Sequence, residues 1–145
     1  MNVKYPELSQ EIEILQRFKE DFDSKITSDV NPVINVEELK KCMEIVEKVH
    51  IKDDLIEYIA KIVYETRNSG DLFLGASPRA SLAILKASKA VAAIRGRGFV
   101  TPDDVKYIAY AVLNHRIILN PEREIEGVEA VDIINSIIHK IEVPR

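Results

Sequence analysis

The sequence predicts an all-α fold: a compact bundle of about six helices, preceded by a short extended segment at the N-terminus. The 145 residues include only 5 Gly and 6 Pro, and so few turn-forming residues favour long helices over many short strands. Apolar residues also recur at helical spacing along most of the chain. Hydrophobic residues make up 46% of the chain and charged residues 30%, which is typical of a globular protein long enough to bury a core.

The N-terminal part predicts one helix between two irregular segments. Residues 1–6 are expected to be extended and to stop at Pro6, and a strand this short is not stable alone. A first helix is predicted over about Leu8–Asp23, because apolar residues there fall near helical spacing. The residues of that apolar stripe are Ile12, Leu15, Phe18 or Lys19, and Phe22. The polar residues 23–31 then predict a loop.

A second helix is predicted to begin after Asn35. This residue is expected to cap the helix, with Glu38 at the capping-box position three residues later. Ile34 and Leu39 occupy the positions of a hydrophobic staple. The helix should end near His50. Its apolar face consists of Val36, Leu39, Met43 and Val46.

A third helix is predicted to open at Asp53 and Asp54, because the helix dipole favours acidic side chains at its N-terminal end. The segment Asn68–Asp71, which contains a glycine, should terminate it. A loop over residues 71–76 then leads to the fourth helix. The buried side of the third helix is expected to consist of Leu55, Ile59, Ile62, Val63 and Thr66.

The fourth helix has the most distinct start of the chain. Ser77 is predicted as its N-cap and Pro78 as its first residue, where the missing N–H of proline needs no partner. Gly96 and Gly98 should end it. So many alanines indicate close packing against more than one neighbouring helix. Its apolar stripe is expected to consist of Ala80, Ile84, Ala87, Val91 and Ile94, widened by Leu85 and Ala92.

Arg79 projects from the first turn of that helix. An arginine beside free backbone N–H groups is a good receptor for an anion such as phosphate. The alternative is an arginine that points into water or pairs with a carboxylate, as most surface arginines do. The local chemistry leaves both interpretations open.

A fifth helix is predicted to start at Thr101 and Pro102, with Asp104 at the capping-box distance. Residues 117–127 are expected to be irregular, and a last helix should cover about Glu129–Lys140. The predicted buried face of the fifth helix is Val105, Ile108, Ala109, Val112 and Leu113. Its last turn holds Asn114, His115 and Arg116. The last helix should bury Val131, Ile134, Ile137, Ile138 and Ile141.

Charge and cysteine content restrict the possible functions. The net charge of −4 argues against nucleic-acid binding unless basic residues are concentrated locally. The nearest candidates include no aromatic stacking platform and are typical of a solvated helix face. These candidates are Lys86, Lys89, Arg95 and Arg97. The single cysteine, Cys42, permits no intrachain disulfide, and no Cys/His set has zinc spacing, so we expect a reducing cytoplasm and no metal site.

Other patterns are absent from the sequence. No apolar run approaches the ~20 residues that span a bilayer, and we expect no signal peptide. A Gly-rich phosphate loop, GxSxG and HExxH are all missing. The histidines His50, His115 and His139 each follow or end a predicted helix, where a partly charged imidazole has a structural role. We therefore expect no complete active site in this chain.

A resemblance to a known family lies in the run GASPRASLAILKASKAVAAIRGRGFVTPDDV, followed by VLNHRIIL. This sequence resembles the C-terminal lid domain of a MoxR-type AAA+ ATPase, and the likeness covers almost the whole chain. Its specific pieces are GASPRA, GRGFVTPDDV and NHRI. The resemblance implies that residues 1–7 are the remnant of an upstream α/β ATPase domain and that residues 8–145 are the helical lid.

The resemblance also implies a role for the GASPRA arginine. In that family it is the sensor-two residue, which reaches from the lid to the γ-phosphate of ATP. Arg79 would therefore contact the phosphate, with Ser77 and Pro78 at the nucleotide-facing helix start. The implied cofactors of the full-length parent are ATP and Mg²⁺. None is expected to bind this chain alone, because it lacks the Walker A and Walker B motifs, the sensor-one residue and the arginine finger; it should not hydrolyse ATP by itself.

The implied partners are the upstream α/β domain, the neighbouring subunits of a ring, expected to be a hexamer, and a client protein that the ATPase remodels or matures. His115 and Arg116 would contact a neighbouring subunit or cap the preceding helix. Two alternatives remain. One is a stand-alone helical interaction module without a nucleotide role. The other is a histone-like DNA-binding protein, against which the net charge of −4 argues.

Overall fold

The computed structural model describes residues 5–19 and 30–144, and the chain divides into two compact units, Met1–Asn35 and Val36–Arg145. The first unit contains helix α1 (Leu8–Arg17), whose start is capped by a reciprocal pair of hydrogen bonds between Glu7 and Gln10. This helix ends earlier than predicted, and none of its residues is buried. The predicted stripe residue Phe22 and most of the predicted loop lie outside the described residues.

The second unit holds the remaining elements. They are α2 (Val36–Lys48), α3 (Asp53–Asn68), β1 (Leu72–Leu74), α4 (Pro78–Ile94), α5 (Pro102–Leu113), β2 (Ile118–Leu119), α6 (Pro121–Ile125) and α7 (Ala130–Lys140). The predicted helical fold is confirmed, but the described residues form seven helices and a two-stranded sheet. Helix α4 packs against α2, α3 and α5, and α7 packs against α3 and α5.

Two predicted loops contain regular structure. Strand β1 forms within the loop after α3 and pairs antiparallel with β2, with Leu72 opposite Leu119. The expectation that residues 117–127 are irregular was therefore wrong. Pro121 occupies the first turn of the short helix α6, where proline is favoured, and Arg123 of that helix forms an ion pair with Asp71 next to β1 at 2.7 Å.

The predicted core faces of α3, α5 and α7 are largely confirmed. On α3 all five predicted residues are buried, and Tyr58 joins them. On α5 only Ile108 of the predicted set is partly rather than fully buried, and on α7 only Val131 is. The predicted starts of α3, α4 and α5 are also confirmed at the residue level.

The buried face of α4 differs from the prediction. Its fully buried residues recur every fourth position and are Ala80, Ile84, Ser88 and Ala92. Ile94 was predicted in the core, but it is 86% exposed. The buried residues recur every fourth position up to Ala92, so Ile94, two positions later, lies outside the buried face. Small side chains along this ridge allow neighbouring helices to approach α4 closely. After Ile94 the helix ends in a Schellman motif, in which Gly96 has a φ of +72°.

The apolar face of α2 is mostly exposed. Val36, Leu39 and Met43 are exposed, Val46 is half-buried, and no residue of α2 is fully buried. The first buried side chain among the described residues is Val49, just after this helix. His50 then forms an isolated parallel bridge to Phe99 through backbone hydrogen bonds, which fixes the end of α2 beside the α4–α5 connection.

Candidate anion-binding site at the start of helix α4

The segment before α4 is fixed onto the end of α3. The backbone N–H of Ala76 donates to Thr66 Oγ1 at 2.9 Å, and the Thr66 hydroxyl donates to the Val63 carbonyl at 2.6 Å. Gly75 lies so close to α3 that an added Cβ would be 2.5 Å from the Thr66 carbonyl oxygen. Only glycine fits so close to the α3 backbone, which explains why GASPRA begins with a glycine.

Ser77 occupies the N-cap position of α4 in extended conformation, with Pro78 following it. The predicted position is therefore correct, but the Ser77 side chain makes no capping hydrogen bond. The N–H of Ala80 bonds instead to the Ser77 carbonyl at 2.8 Å. Within the described part of the chain, no hydrogen bond uses the backbone N–H of Arg79. That N–H lies at the positive end of the helix dipole, where anions bind favourably.

The Arg79 side chain is exposed, as are Ser77 and Pro78. It forms no hydrogen bond, ion pair or ring contact with any residue in the described ranges 5–19 and 30–144. Of the two interpretations left open by the sequence, pairing with a described carboxylate is thus not observed. The five N–H donors of the guanidinium group therefore have no partner among the described residues.

The GRGFVTPDDV motif and the arginine that precedes it form a separate structural cluster, which we call the Asp104 cluster: Asp104, Arg95, Arg97 and Thr101. The fully buried Asp104 carboxylate accepts hydrogen bonds from Arg95 at 2.8 Å and from Arg97 at 2.6 and 2.7 Å. The backbone N–H of Thr101 donates to it at 2.9 Å. Hydrogen bonding from Arg97 is the main reason that the pKa of Asp104 lies well below its ordinary value. The cluster ties the end of α4 to the start of α5.

This cluster corrects the prediction of a solvated basic face. Arg95 and Arg97 are engaged by Asp104, and Arg95 also stacks on Tyr107 at 4.9 Å. Lys89 donates to the Glu47 carbonyl at 3.0 Å. Only Lys86 of the four basic residues remains a simple exposed cation in the described structure. The sequence identified Asp104 as a capping residue only, although two arginines shortly before it signalled a possible ion pair.

The polar side chains of the NHRI motif and that of His139 either bond to a backbone carbonyl four residues earlier or face solvent. Arg116 donates to the Val112 carbonyl at 2.6 Å, so it caps α5, one of its two predicted roles. His139 Nδ1 lies 2.7 Å from the Asn135 carbonyl oxygen, and His115 is exposed. Cys42 is an exposed free thiol.

Across residues 5–19 and 30–144, no three His, Cys, Asp or Glu side chains are grouped so that they could hold a metal ion. None of the helices within those same ranges is long and apolar enough to cross a membrane.

Comparison with known proteins places this geometry in context. The profile of the AAA lid domain family matches residues 64–137, which include the end of α3, all of α4 and α5 and most of α7. YeaC, an uncharacterised protein of Bacillus subtilis, is 35% identical over 144 residues. The protein named chaperone MoxR1 from Mycobacterium tuberculosis is 28% identical over 154 residues.

A solved structure agrees with these sequence matches. The crystal structure of a Cytophaga hutchinsonii protein, provisionally described as an ATPase, superposes with a TM-score of 0.76 at 30% identity and covers 99% of this chain. The chain spans 44% of YeaC, 40% of MoxR1 and 45% of the crystallised protein. It therefore corresponds to less than half of each relative.

Proposed function

This chain belongs to the AAA lid domain family, as a lid of the MoxR-type AAA+ ATPases, and from this premise we propose that Arg79 is a sensor-two residue. In a longer protein, residues 1–7 would be the last part of an α/β ATPase domain and residues 8–145 the lid. ATP would bind between the two, with Arg79 reaching its γ-phosphate.

One observation carries this proposal: Arg79 is an exposed cation without a described partner on a helix start that is fixed to the core. Ala76 and Ala80, on either side of it, are both fully buried. The Arg79 guanidinium would stabilise the charge that develops on the phosphoryl group during transfer, without reorganising at that moment. Loss of the phosphate contact after hydrolysis would release the lid to rotate as a body.

The rest of the nucleotide site would come from the longer protein. AAA+ ATPases use ATP and Mg²⁺, and the phosphate loop and metal neutralise most of the phosphate charge. This chain would contribute Arg79 and the helix start that includes Ser77 and Pro78. By itself it would have no ATPase activity, because its sequence contains no Walker A or Walker B motif.

The proposed biological role is to couple ATP binding and hydrolysis to chaperone-like remodelling or maturation of a client protein. A relative that is named a chaperone supports this role. The partners would be the α/β domain and neighbouring subunits in a ring, proposed to be a hexamer, and the location the cytoplasm. Engagement of Arg95 and Arg97 by Asp104 leaves little free basic surface there for nucleic acid.

The test is ATP turnover by the full-length protein that contains this chain. Arg79→Ala should lower kcat by about 100-fold, the effect of removing one donor to a developing charge, without altering the circular dichroism spectrum. Lys86→Ala is the matched control, because Lys86 is an exposed cation on the same helix, and it should leave turnover unchanged. Normal turnover by Arg79→Ala would contradict the proposal and favour a helical interaction module without a nucleotide role.

A further inference from the structure

We infer that Thr66 is the residue that positions Arg79 for its phosphate contact; this inference rests on the sensor-two role proposed above. Thr66 lies on α3, not on α4, and its side chain is 1% exposed. It is thus shielded from solvent and from direct contact with a ligand at the surface. Its effect on catalysis would pass entirely through the backbone of the segment before α4.

The orientation of the Thr66 hydroxyl is fixed by its own helix. Because the hydroxyl donates its only proton to the Val63 carbonyl at 2.6 Å, its lone pairs are left to accept a bond. The Ala76 N–H fills that position at 2.9 Å. Side-chain bonds of this kind, from threonine to a carbonyl one turn earlier, are common within helices. Here the bond converts a helix residue into an acceptor for a neighbouring segment.

The link from Thr66 to Arg79 is short and restrained at each step. Ala76 is held by Thr66, and Gly75 is packed against the carbonyl of the same residue. Ser77 and Pro78 then begin α4, and the Ala80 N–H closes the first turn onto the Ser77 carbonyl. Arg79 itself has no described side-chain contact to fix it. Among the described residues, its guanidinium is therefore placed through the backbone that Thr66 holds.

Valine is the informative replacement for Thr66. It preserves the branched shape but cannot accept a hydrogen bond, so the buried Ala76 N–H would lose its partner. A buried unpaired N–H is costly, and the segment should shift to hydrate it. Serine retains the hydroxyl and should retain the position. A shift of about 1 Å at a catalytic group can reduce rate by up to about 100-fold, so a partial displacement of Arg79 should have a readily measured effect.

The experiment measures steady-state ATP hydrolysis, over a range of ATP concentrations, by the full-length protein with Thr66→Val or Thr66→Ser, each alone and combined with Arg79→Ala. We expect Thr66→Val to lower kcat by about tenfold and to change KM for ATP by less than about twofold, because phosphate-loop contacts would dominate binding. Thr66→Ser should remain within about twofold of wild type. In the Arg79→Ala background, Thr66→Val should have almost no further effect.

A second pair of variants keeps the test decisive if Thr66→Val folds poorly. Gly75→Ala places a methyl group against α3, whereas Gly98→Ala meets nothing within 4 Å. Gly75→Ala should lower turnover and lose this effect when Arg79 is absent, and Gly98→Ala should be silent.

The outcomes separate this inference from the function on which it rests. If Arg79→Ala is silent, the sensor-two role fails and the inference fails with it. If Arg79→Ala is impaired but Thr66→Val is normal, only the inference fails. If Thr66→Val lowers turnover by the same factor with and without Arg79, Thr66 acts through general stability and positioning is refuted.

Discussion

Replacement of Asp104 by asparagine would remove the charge at the centre of the Asp104 cluster while preserving its shape. Removing one member of a buried ion pair costs ~3–5 kcal/mol. Here the Arg95 and Arg97 side chains are 43% and 26% exposed, so both cations regain hydration once the carboxylate is lost. Asparagine can also still accept the bond from the Thr101 N–H. We therefore expect Asp104→Asn to lower the free energy of unfolding by about 2–3 kcal/mol at pH 7.

Urea unfolding of this chain, followed by circular dichroism, measures that difference. Asp103→Asn is the matched control, because Asp103 is the adjacent residue and its side chain is 85% exposed. It should change stability by less than about 0.5 kcal/mol. Equal stability of the two variants would show that the buried carboxylate contributes no more than its exposed neighbour.

The pH dependence supplies an independent check on the same residue. Hydrogen bonds, chiefly from Arg97, hold the pKa of Asp104 below its ordinary value of 3.8. A carboxyl group whose pKa falls on folding stabilises the folded state above its unfolded pKa and loses that contribution as pH decreases. The difference between wild type and Asp104→Asn should thus be constant near neutrality and shrink below about pH 4. A difference that persists undiminished at low pH would refute the ionic explanation.

Two further predictions concern α4 and α3. Ser88→Ala should stabilise the protein by about 1 kcal/mol, because the Ser88 hydroxyl is buried without a hydrogen-bond partner in the described structure and because alanine favours helix. Thermal unfolding measures this difference, with Ser136→Ala as the control at an exposed site. Destabilisation by Ser88→Ala would mean that the hydroxyl does have a hydrogen-bond partner. Ile62→Ala should cost ~2–5 kcal/mol in urea unfolding because the side chain is fully buried. Ile94→Ala should cost less than about 0.5 kcal/mol, and a similar loss for both isoleucines would contradict the observed face of α4.

Local sequence chemistry was sufficient for the helix starts. Pro78 and Pro102 each follow a residue able to cap, and proline restricts where a helix can begin, so α4 and α5 start at the predicted residues. On α3 the buried face was also predictable, because its apolar residues form one stripe flanked by charged positions. In these places the local preference and the tertiary packing agree.

Other features depended on contacts distant in sequence. Strands β1 and β2 consist of three and two residues, and their pairing of Leu72 with Leu119 has no local pattern that predicts it. The α2 stripe shows the opposite case, since its helical periodicity is clear while none of its residues is fully buried. Periodicity identifies a helix and its apolar side, but whether another element covers that side is decided by tertiary structure.

The residues of the candidate site also differ in how far the sequence alone could point to them. The prediction for Arg79 rested on its motif and on its place at a helix start, both of which the sequence contains. Thr66 appeared only as one buried position of α3, and its bond to Ala76 crosses ten residues. A polar residue within an apolar stripe was the available sign that this side chain has a partner elsewhere.

Helix α4 is held at both ends by different neighbours: Thr66 of α3 at its start and Asp104 of α5 at its end. Its 17 residues correspond to a rod of roughly 25 Å. Moving the Arg79 end by ~2 Å would tilt such a rod by about 5°. Because the two attachments belong to separate helices, a tilt of α4 would strain one of them unless α3 and α5 moved with it. A small displacement of the Arg79 end would therefore turn the neighbouring helices together with α4.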